Sequence, residues 1–142
     1  MNKETGKLLA ELNASADLTK YLSVNRAEII SGDICDLIEK IRQNNKISKA
    51  ELARKAGISE FYLYQLLKGR RKPSRDTLLA MCLGLGCTEK QTEDLLKYGG
   101  YSQLYVRFRH DAIVLYGLMH GWDVLKVNDM LFEQGEQPLG DV

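Results

Sequence analysis

Three features of this chain point to an all-α fold. Apolar residues recur at intervals of three and four from one end to the other, and no stretch alternates apolar with polar residues as a half-buried strand would. Leucine far outnumbers valine and only 2 prolines occur among 142 residues, a balance that suits helix interiors. Small hydroxyl or carboxylate residues stand ahead of successive apolar stripes and glycines behind them, punctuating the chain as a series of short capped helices.

Taken in order, residues 5 to 13 and 17 to 30 make two or three short helices, with Leu8, Leu9 and Leu12 on one stripe and Leu18, Tyr21 and Leu22 on the next. From Asp33 to Asn44, Ile34, Leu37, Ile38 and Ile41 fall at i, i+3, i+4 and i+7, as a helix with one buried face requires, and Asn44-Asn45 ends it. Ser48 with Glu51 three residues on is a capping box, in which each side chain satisfies a backbone donor of the other residue. The helix it opens carries Leu52, Ala53 and Ala56 inward and stops at Gly57, which can take positive φ without a Cβ penalty. Ser59 caps the next helix, with Leu63 and Leu66 inward and Gly69 just past its end. Pro73 and Ser74 begin a helix from Arg75 to about Gly84, whose core set is Leu78, Met81, Cys82 and Leu85. Thr88 with Gln91 repeats the capping-box pattern and opens a helix running through Leu95 and Leu96 to the Gly99-Gly100 break.

Two more helices follow the break. One spans 103 to 119 and buries Val106, Ile113, Val114 and Leu118; the other, capped by Asp123, spans 124 to 134 before Gly135 and Pro138. Asn128 shares the buried stripe of the latter with Val124, Val127 and Leu131, and a buried amide needs partners, so it is read as bonding to a neighbouring loop. Trp122, Met130 and Phe132 extend the core or form a dimer surface. With no internal repeat and no low-complexity linker, the organisation is an N-terminal helical extension over 1–32, a domain over 33–98 and a C-terminal helical extension over 99–142 packed on the core.

Several function classes are disfavoured. The opening MNKETGKLLAELN mixes charge and apolar groups too closely for a signal peptide, and no apolar run approaches bilayer length, so a cytoplasmic protein without a membrane partner is expected. Cys35, Cys82 and Cys87 form no CxxC and are odd in number, which indicates reduced core thiols; Cys82 and Cys87 can approach each other across the end of their helix, but their spacing does not put them on one stripe. His110 and His120 are out of phase for pairing on one helix face, so no metal site is expected. No phosphate-binding glycine loop, nucleophile elbow or HExxH motif occurs, so neither catalytic residues nor a cofactor are assigned and the chain is read as a non-enzyme. Arg107, Arg109, His110 and Asp111 form the one other charged constellation, read as surface or inter-helix ion pairs at a helix start.

Charge is unevenly distributed. From Arg42 to Arg75 ten lysines and arginines face only Glu51 and Glu60, giving +8 in a chain whose net charge is +1. A basic segment in an otherwise acidic chain marks one face for a polyanion, because neutralised phosphates release counterions.

Within that segment ISKAELARKAGISEFYLYQLLKGRRKP, from Ile47 to Pro73, resembles the Cro/CI-type helix-turn-helix family, also called XRE-like or lambda-repressor-like. Leu52-Ala53, Ala56-Gly57-Ile58-Ser59, Leu63, Leu66, Gly69 and Pro73 fall in the family's register, and with its flanking helices the resemblance covers about residues 33 to 97. The tail RHDAIVLYGLMHGWDVLKVNDMLFEQG is similar to extensions on some uncharacterised members from Firmicutes. The spacing also has its own physical sense: two short helices must cross steeply around a glycine turn so that Ala53, Ile58 and Leu63 meet in a small core, which leaves the outer face of the second helix free for a major groove.

The resemblance implies a lambda-repressor-like five-helix domain with helical N- and C-terminal extensions. It further implies a bacterial-type transcriptional regulator that binds double-stranded DNA as a homodimer, reading bases with the third of the five helices, about 59–68. On that carry-over Ser59, Glu60, Phe61, Tyr62 and Gln65 lie toward base edges, while Lys49, Tyr64, Lys68, Arg70, Arg71 and Lys72 are placed for phosphates, which position without specifying. Lys49 and Leu67 stand where Gln and Glu are common in the family, and Phe61, Tyr62 and Tyr64 make an unusually aromatic reading helix. Large rigid rings also anchor protein contacts, so the alternative is an interaction module, adaptor or antitoxin-like, using the same helix for a protein partner.

Overall fold

The computed structural model describes residues 3–26 and 33–140, and the regular elements among them are all helical. They are α1 (Thr5–Ala14), α2 (Leu18–Val24), α3 (Ile34–Asn44), α4 (Lys49–Ala56), α5 (Glu60–Leu67), α6 (Arg75–Leu85), α7 (Glu89–Gly99), α8 (Arg109–Met119) and α9 (Val124–Glu133). By contacts the chain divides into two units, Met1–Ser31 and Gly32–Val142.

The first unit is a pair of short helices tied by polar groups. Asp17 caps α2 by accepting from Lys20 N. The buried Asn25 donates from Nδ2 to Glu11 Oε2 at 3.1 Å and to Tyr21 O at 3.2 Å, and Lys3 Nζ reaches both Glu11 and the Asn25 carbonyl oxygen. Leu9, Leu12, Leu18 and Leu22 from the two leucine stripes are exposed. The part of the expected second helix beyond residue 26 lies outside the described residues.

In the second unit local chemistry starts every helix but the eighth, α8, where the sequence reading places it. Asp33, Ser48, Ser59, Ser74 and Asp123 each accept a backbone N–H of the first turn they precede. At Thr88 the box is complete, with Gln91 reaching back to the Thr88 N–H at 3.0 Å. At Ser48 only its first half forms. Glu51 N donates to Ser48 Oγ at 3.1 Å, but the Glu51 carboxylate turns along the helix to Lys55 at 3.9 Å instead of back to the cap.

The core is built around α6. Every residue from Thr77 to Leu85 is buried, because α4, α7, α8 and α9 all pack against this one helix. At about 1.5–3 kcal/mol for each large apolar side chain taken fully out of water, Leu78, Leu79, Met81 and Leu85 make α6 the main source of hydrophobic stabilisation. Gly84 is where α4 crosses it: a Cβ there would sit 3.2 Å from both Ala56 N and Leu52 Cδ1.

α8 and α9 form a hairpin over α6 and α7, bringing Val114, Val127 and Leu131 to zero exposure. Asn128 closes the hairpin's end as the sequence indicates, donating to Leu139 O at 3.2 Å and accepting from Leu139 N at 2.7 Å. The two helices approach at Gly117, where an added Cβ would meet Val127 Cγ2 at 2.6 Å. Gly117→Ala is therefore expected to destabilise the fold by about 1–3 kcal/mol, the usual cost of overpacking, read as a lower midpoint in a denaturant melt with an unchanged slope.

One expectation changes. The helix foreseen over 103 to 119 begins only at Arg109, and Val106 is 63% exposed, not buried. Side chains take the backbone groups that a helix there would use: Arg75 of α6 donates to Ser102 O and Gln103 O, and Asp111 in the first turn of α8 accepts from Tyr105 N. Cys82 and Cys87, which share no stripe, are neighbours across the end of α6. Gly86 takes the left-handed conformation at φ 70° and folds the chain back, so that Cys87 N donates to Cys82 O at 3.0 Å and the two thiols meet in the core. The hydrogen bond with Cys87 and burial both push the Cys82 thiol well above its ordinary range, so it stays protonated.

Candidate nucleic-acid interface

The turn between α4 and α5 decides what α5 can present. Gly57 sits at φ 72°, and Ile58 N donates to Ala53 O at 3.0 Å, closing α4 and redirecting the chain within two residues of the next cap. Ala53, at 1% exposure, leaves room for the steep crossing, and Leu63 and Leu66, also at 1%, seat α5 in the core. α5 packs principally on α3 and α4. Cys35 Sγ donates to Leu66 O at 3.0 Å and fixes its C-terminal end to α3; burial pushes that thiol up to about 11.

With Leu63 and Leu66 inward, Phe61, Tyr64 and Lys68 succeed one another at helical spacing on the opposite side and are exposed, Phe61 to 70%. Glu60 is exposed at the start of α5, and Gln65 is half-buried on its flank. Ser59 is exposed, but its Oγ is committed as acceptor to Tyr62 N at 3.0 Å, which leaves its hydroxyl proton free. Tyr62 is the most inward of the base-facing candidates: it is half-buried and packs against the core. Lys49 is exposed at the start of α4, and Arg70, Arg71 and Lys72 are exposed in the loop that leads to α6.

The aromatic residues of this region underlie its cations. Lys68 Nζ lies 5.4 Å from the centre of the Tyr64 ring, Arg71 Cζ 5.2 Å from that of Tyr62, and Lys72 Nζ 5.0 Å from that of Tyr101. A cation over a ring face is held by the ring's quadrupole, worth about 0.5–1 kcal/mol at exposed sites, so these three charges are restrained without being neutralised. Tyr101 belongs to no motif and follows the Gly99-Gly100 break, so spacing within the basic segment gave no signal for it.

Two of the ten basic residues are withdrawn from the surface charge. Arg42 makes a bidentate pair with Glu39, at 2.7 and 3.1 Å, and donates to Ile47 O at 2.8 Å. The Arg42 hydrogen bonds hold the Glu39 carboxyl below the usual carboxylate range. Arg75 makes a second bidentate pair, with Asp111 of α8, at 3.1 and 3.0 Å. Burial pushes the Asp111 pKa up, but the hydrogen bonds from Arg75, His110 and the Tyr105 N–H outweigh it and keep the group below its ordinary value. His110 lies between Asp111 (3.0 Å) and Asp76 (3.6 Å), so half of the charged constellation at the start of α8 serves to join α8 to α6.

Among the described residues no cluster of His, Cys, Asp and Glu is arranged to hold a metal ion, and no helix is long and apolar enough to cross a membrane. No curated protein and no solved structure gives a significant match to the chain. A helix-turn-helix family model matches residues 38–91, the span from the middle of α3 into the first turn of α7 that contains the Gly57 turn, α5 and the basic loop. Capped helices, a left-handed glycine turn and an outward-facing α5, together with that match, make this segment a helix-turn-helix, similar to those of the Cro/CI type.

Proposed function

We propose that the protein is a cytoplasmic transcriptional regulator without chemistry of its own, which binds double-stranded DNA sequence-specifically by placing α5 in the major groove. The observation that carries this reading is the solvent-facing stripe of α5 bordered by cations that make no ion pair among the described residues: Phe61 and Tyr64 are exposed while Lys68, Arg70, Arg71 and Lys72 rim the helix end. Gln65 would pair with adenine, Glu60 accept from a cytosine amino group and Phe61 pack on a thymine methyl, with Ser59 and Tyr62 at the edge of the same contact. Lys49, Tyr64, Lys68, Arg70, Arg71 and Lys72 would grip phosphates. A homodimer on a two-fold symmetric site is part of the proposal, because one short helix reads only a few base pairs. Exposed apolar side chains such as Tyr116, Met119, Leu125 and Phe132 on α8 and α9 offer area for the subunit contact.

The test is selection of bound duplexes from a random pool by the purified protein. Enrichment of a short two-fold symmetric sequence is expected; recovery of no common sequence would sink the reading. Gln65→Ala should then relax preference at one base position by about 1–3 kcal/mol and leave the others unchanged, measured by competition with single-base variants of the selected site.

A second reading, α5 as a docking helix for a protein partner, draws on the 70% exposure of Phe61 at its centre. Salt separates the two. Binding through phosphates falls steeply as salt rises, whereas an aromatic protein contact responds little.

A further inference from the structure

The basic loop between α5 and α6 is short, exposed and rich in long side chains, yet one end of it is fastened from outside the matched segment. Tyr101 follows α7, and its placement is determined on three sides. Its own N–H donates to Leu96 O at 2.8 Å across the left-handed Gly100, which turns the chain back over the end of α7. Its ring lies so close to Gly99 that a Cβ on that residue would stand 2.9 Å from Tyr101 Cδ2. Its hydroxyl donates to Pro73 O at 2.5 Å, just before the Ser74 cap of α6, and Lys72 Nζ lies 5.0 Å from its ring centre.

The next residues are pinned to the same place. Arg75, in the first turn of α6, donates from Nε to Ser102 O at 3.1 Å and from Nη2 to Gln103 O at 3.2 Å. The strap from 101 to 105 thus runs beside the junction of the basic loop with α6, held by Arg75 and Asp111 beneath and ending against Pro73 and Lys72.

From this we infer that Tyr101 is a positioning residue for the DNA interface: its hydroxyl fixes the loop end at Pro73 and its ring holds Lys72 in place for a phosphate. The inference rests on the DNA-binding reading above and adds that the C-terminal extension supports the interface. Tyr62 and Tyr64 seat Arg71 and Lys68 from within α5; the third seat is supplied by the strap.

The test measures binding of the full chain to a labelled mixed-sequence duplex across a salt series, for wild type, Lys72→Ala, Tyr101→Leu, Tyr101→Phe and the double variant Lys72→Ala/Tyr101→Leu. Lys72→Ala should lower the salt slope by about 0.9, one phosphate contact. Tyr101→Leu should reproduce most of that decrease, and the double variant should fall no further than Lys72→Ala alone. Tyr101→Phe, which keeps the ring and loses only the bond to Pro73, should retain the wild-type slope with affinity lowered by about 2–5-fold, on the order of one neutral hydrogen bond. Paired with Lys49→Ala, on another helix, Tyr101→Leu should act additively.

A wild-type protein whose DNA binding is absent or insensitive to salt overturns the DNA reading, and this inference with it. Wild-type binding with a normal Lys72→Ala effect, but Tyr101 variants unchanged or additive with Lys72→Ala, overturns the inference alone. Should Tyr101→Leu fail to fold, Tyr101→Phe decides: wild-type affinity overturns the proposal, and a loss that vanishes in the Lys72→Ala background supports it.

Discussion

Replacing Arg70, Arg71 and Lys72 together by alanine is expected to lower affinity for every DNA sequence alike, by up to about 500-fold at about 0.1 M salt. Each phosphate contact adds about 0.9 to the log–log salt slope, so three lost contacts remove about 2.7; if the lines meet near 1 M, that is about 500-fold one decade lower. The three side chains are exposed, and none makes an ion pair among the described residues, so the fold should lose little. The check is anisotropy of a labelled duplex across a salt series, beside a thermal melt of each protein. Parallel salt lines for variant and wild type would show that the loop does not touch the backbone, and a loss confined to one sequence would assign it to base reading instead.

The second large effect concerns stability. Asp111→Ala is expected to cost about 3–5 kcal/mol, because it leaves the Arg75 guanidinium half-buried without its counter-charge. It also removes the acceptor for Tyr105 N and the neighbour of His110. Replacing both partners by apolar residues of similar size, Arg75→Met with Asp111→Leu, should recover part of this loss, since a buried pair often exchanges for packed apolar groups at little cost. Recovery should stay incomplete, because Arg75 also donates to Ser102 O and Gln103 O.

Acid supplies an independent check. The folded pKa of Asp111 is depressed, so its contribution to stability is fully present above the ordinary aspartate value of 3.8 and is lost as pH falls through the lower folded value. Denaturant melts at descending pH should therefore show wild type losing more stability below about pH 4 than Asp111→Asn, with the two curves running parallel above it. Curves that stay parallel throughout would mean that Asp111 titrates alike in both states.

The elements from α3 to α7 were legible because their signals are local. Ser59, Ser74 and Thr88 cap the helices that directly follow them, Gly57 and Gly69 take positive φ where the turns need it, and Ile38, Leu52, Leu63 and Leu66 are buried as their spacing requires. The late start of α8 was not legible, since a helix over 103–108 is prevented by Arg75, a side chain of α6 that captures the Ser102 and Gln103 carbonyls, together with Asp111, which takes the Tyr105 N–H. The same non-local chemistry misled the charge count. Arg42 and Arg75 belong to the basic run in sequence, but in the fold Arg42 is spent on a carboxylate and a carbonyl and Arg75 on a carboxylate and two carbonyls. The exposed cations of the candidate site could be read from the motif's register, whereas Tyr101, which supports one of them, could not, because it adjoins Lys72 only after α6 and α7 have folded between them.

A helix enclosed on all sides cannot be separated from its surroundings. α6 lies inside the matched segment, yet α8 and α9, which lie outside it, supply part of its covering. The helix-turn-helix segment is consequently no portable cassette: cut out along the borders of the match, it would meet water with a bare hydrocarbon flank. Any transplant or shortened version must carry the terminal hairpin along or repaint that flank with polar side chains.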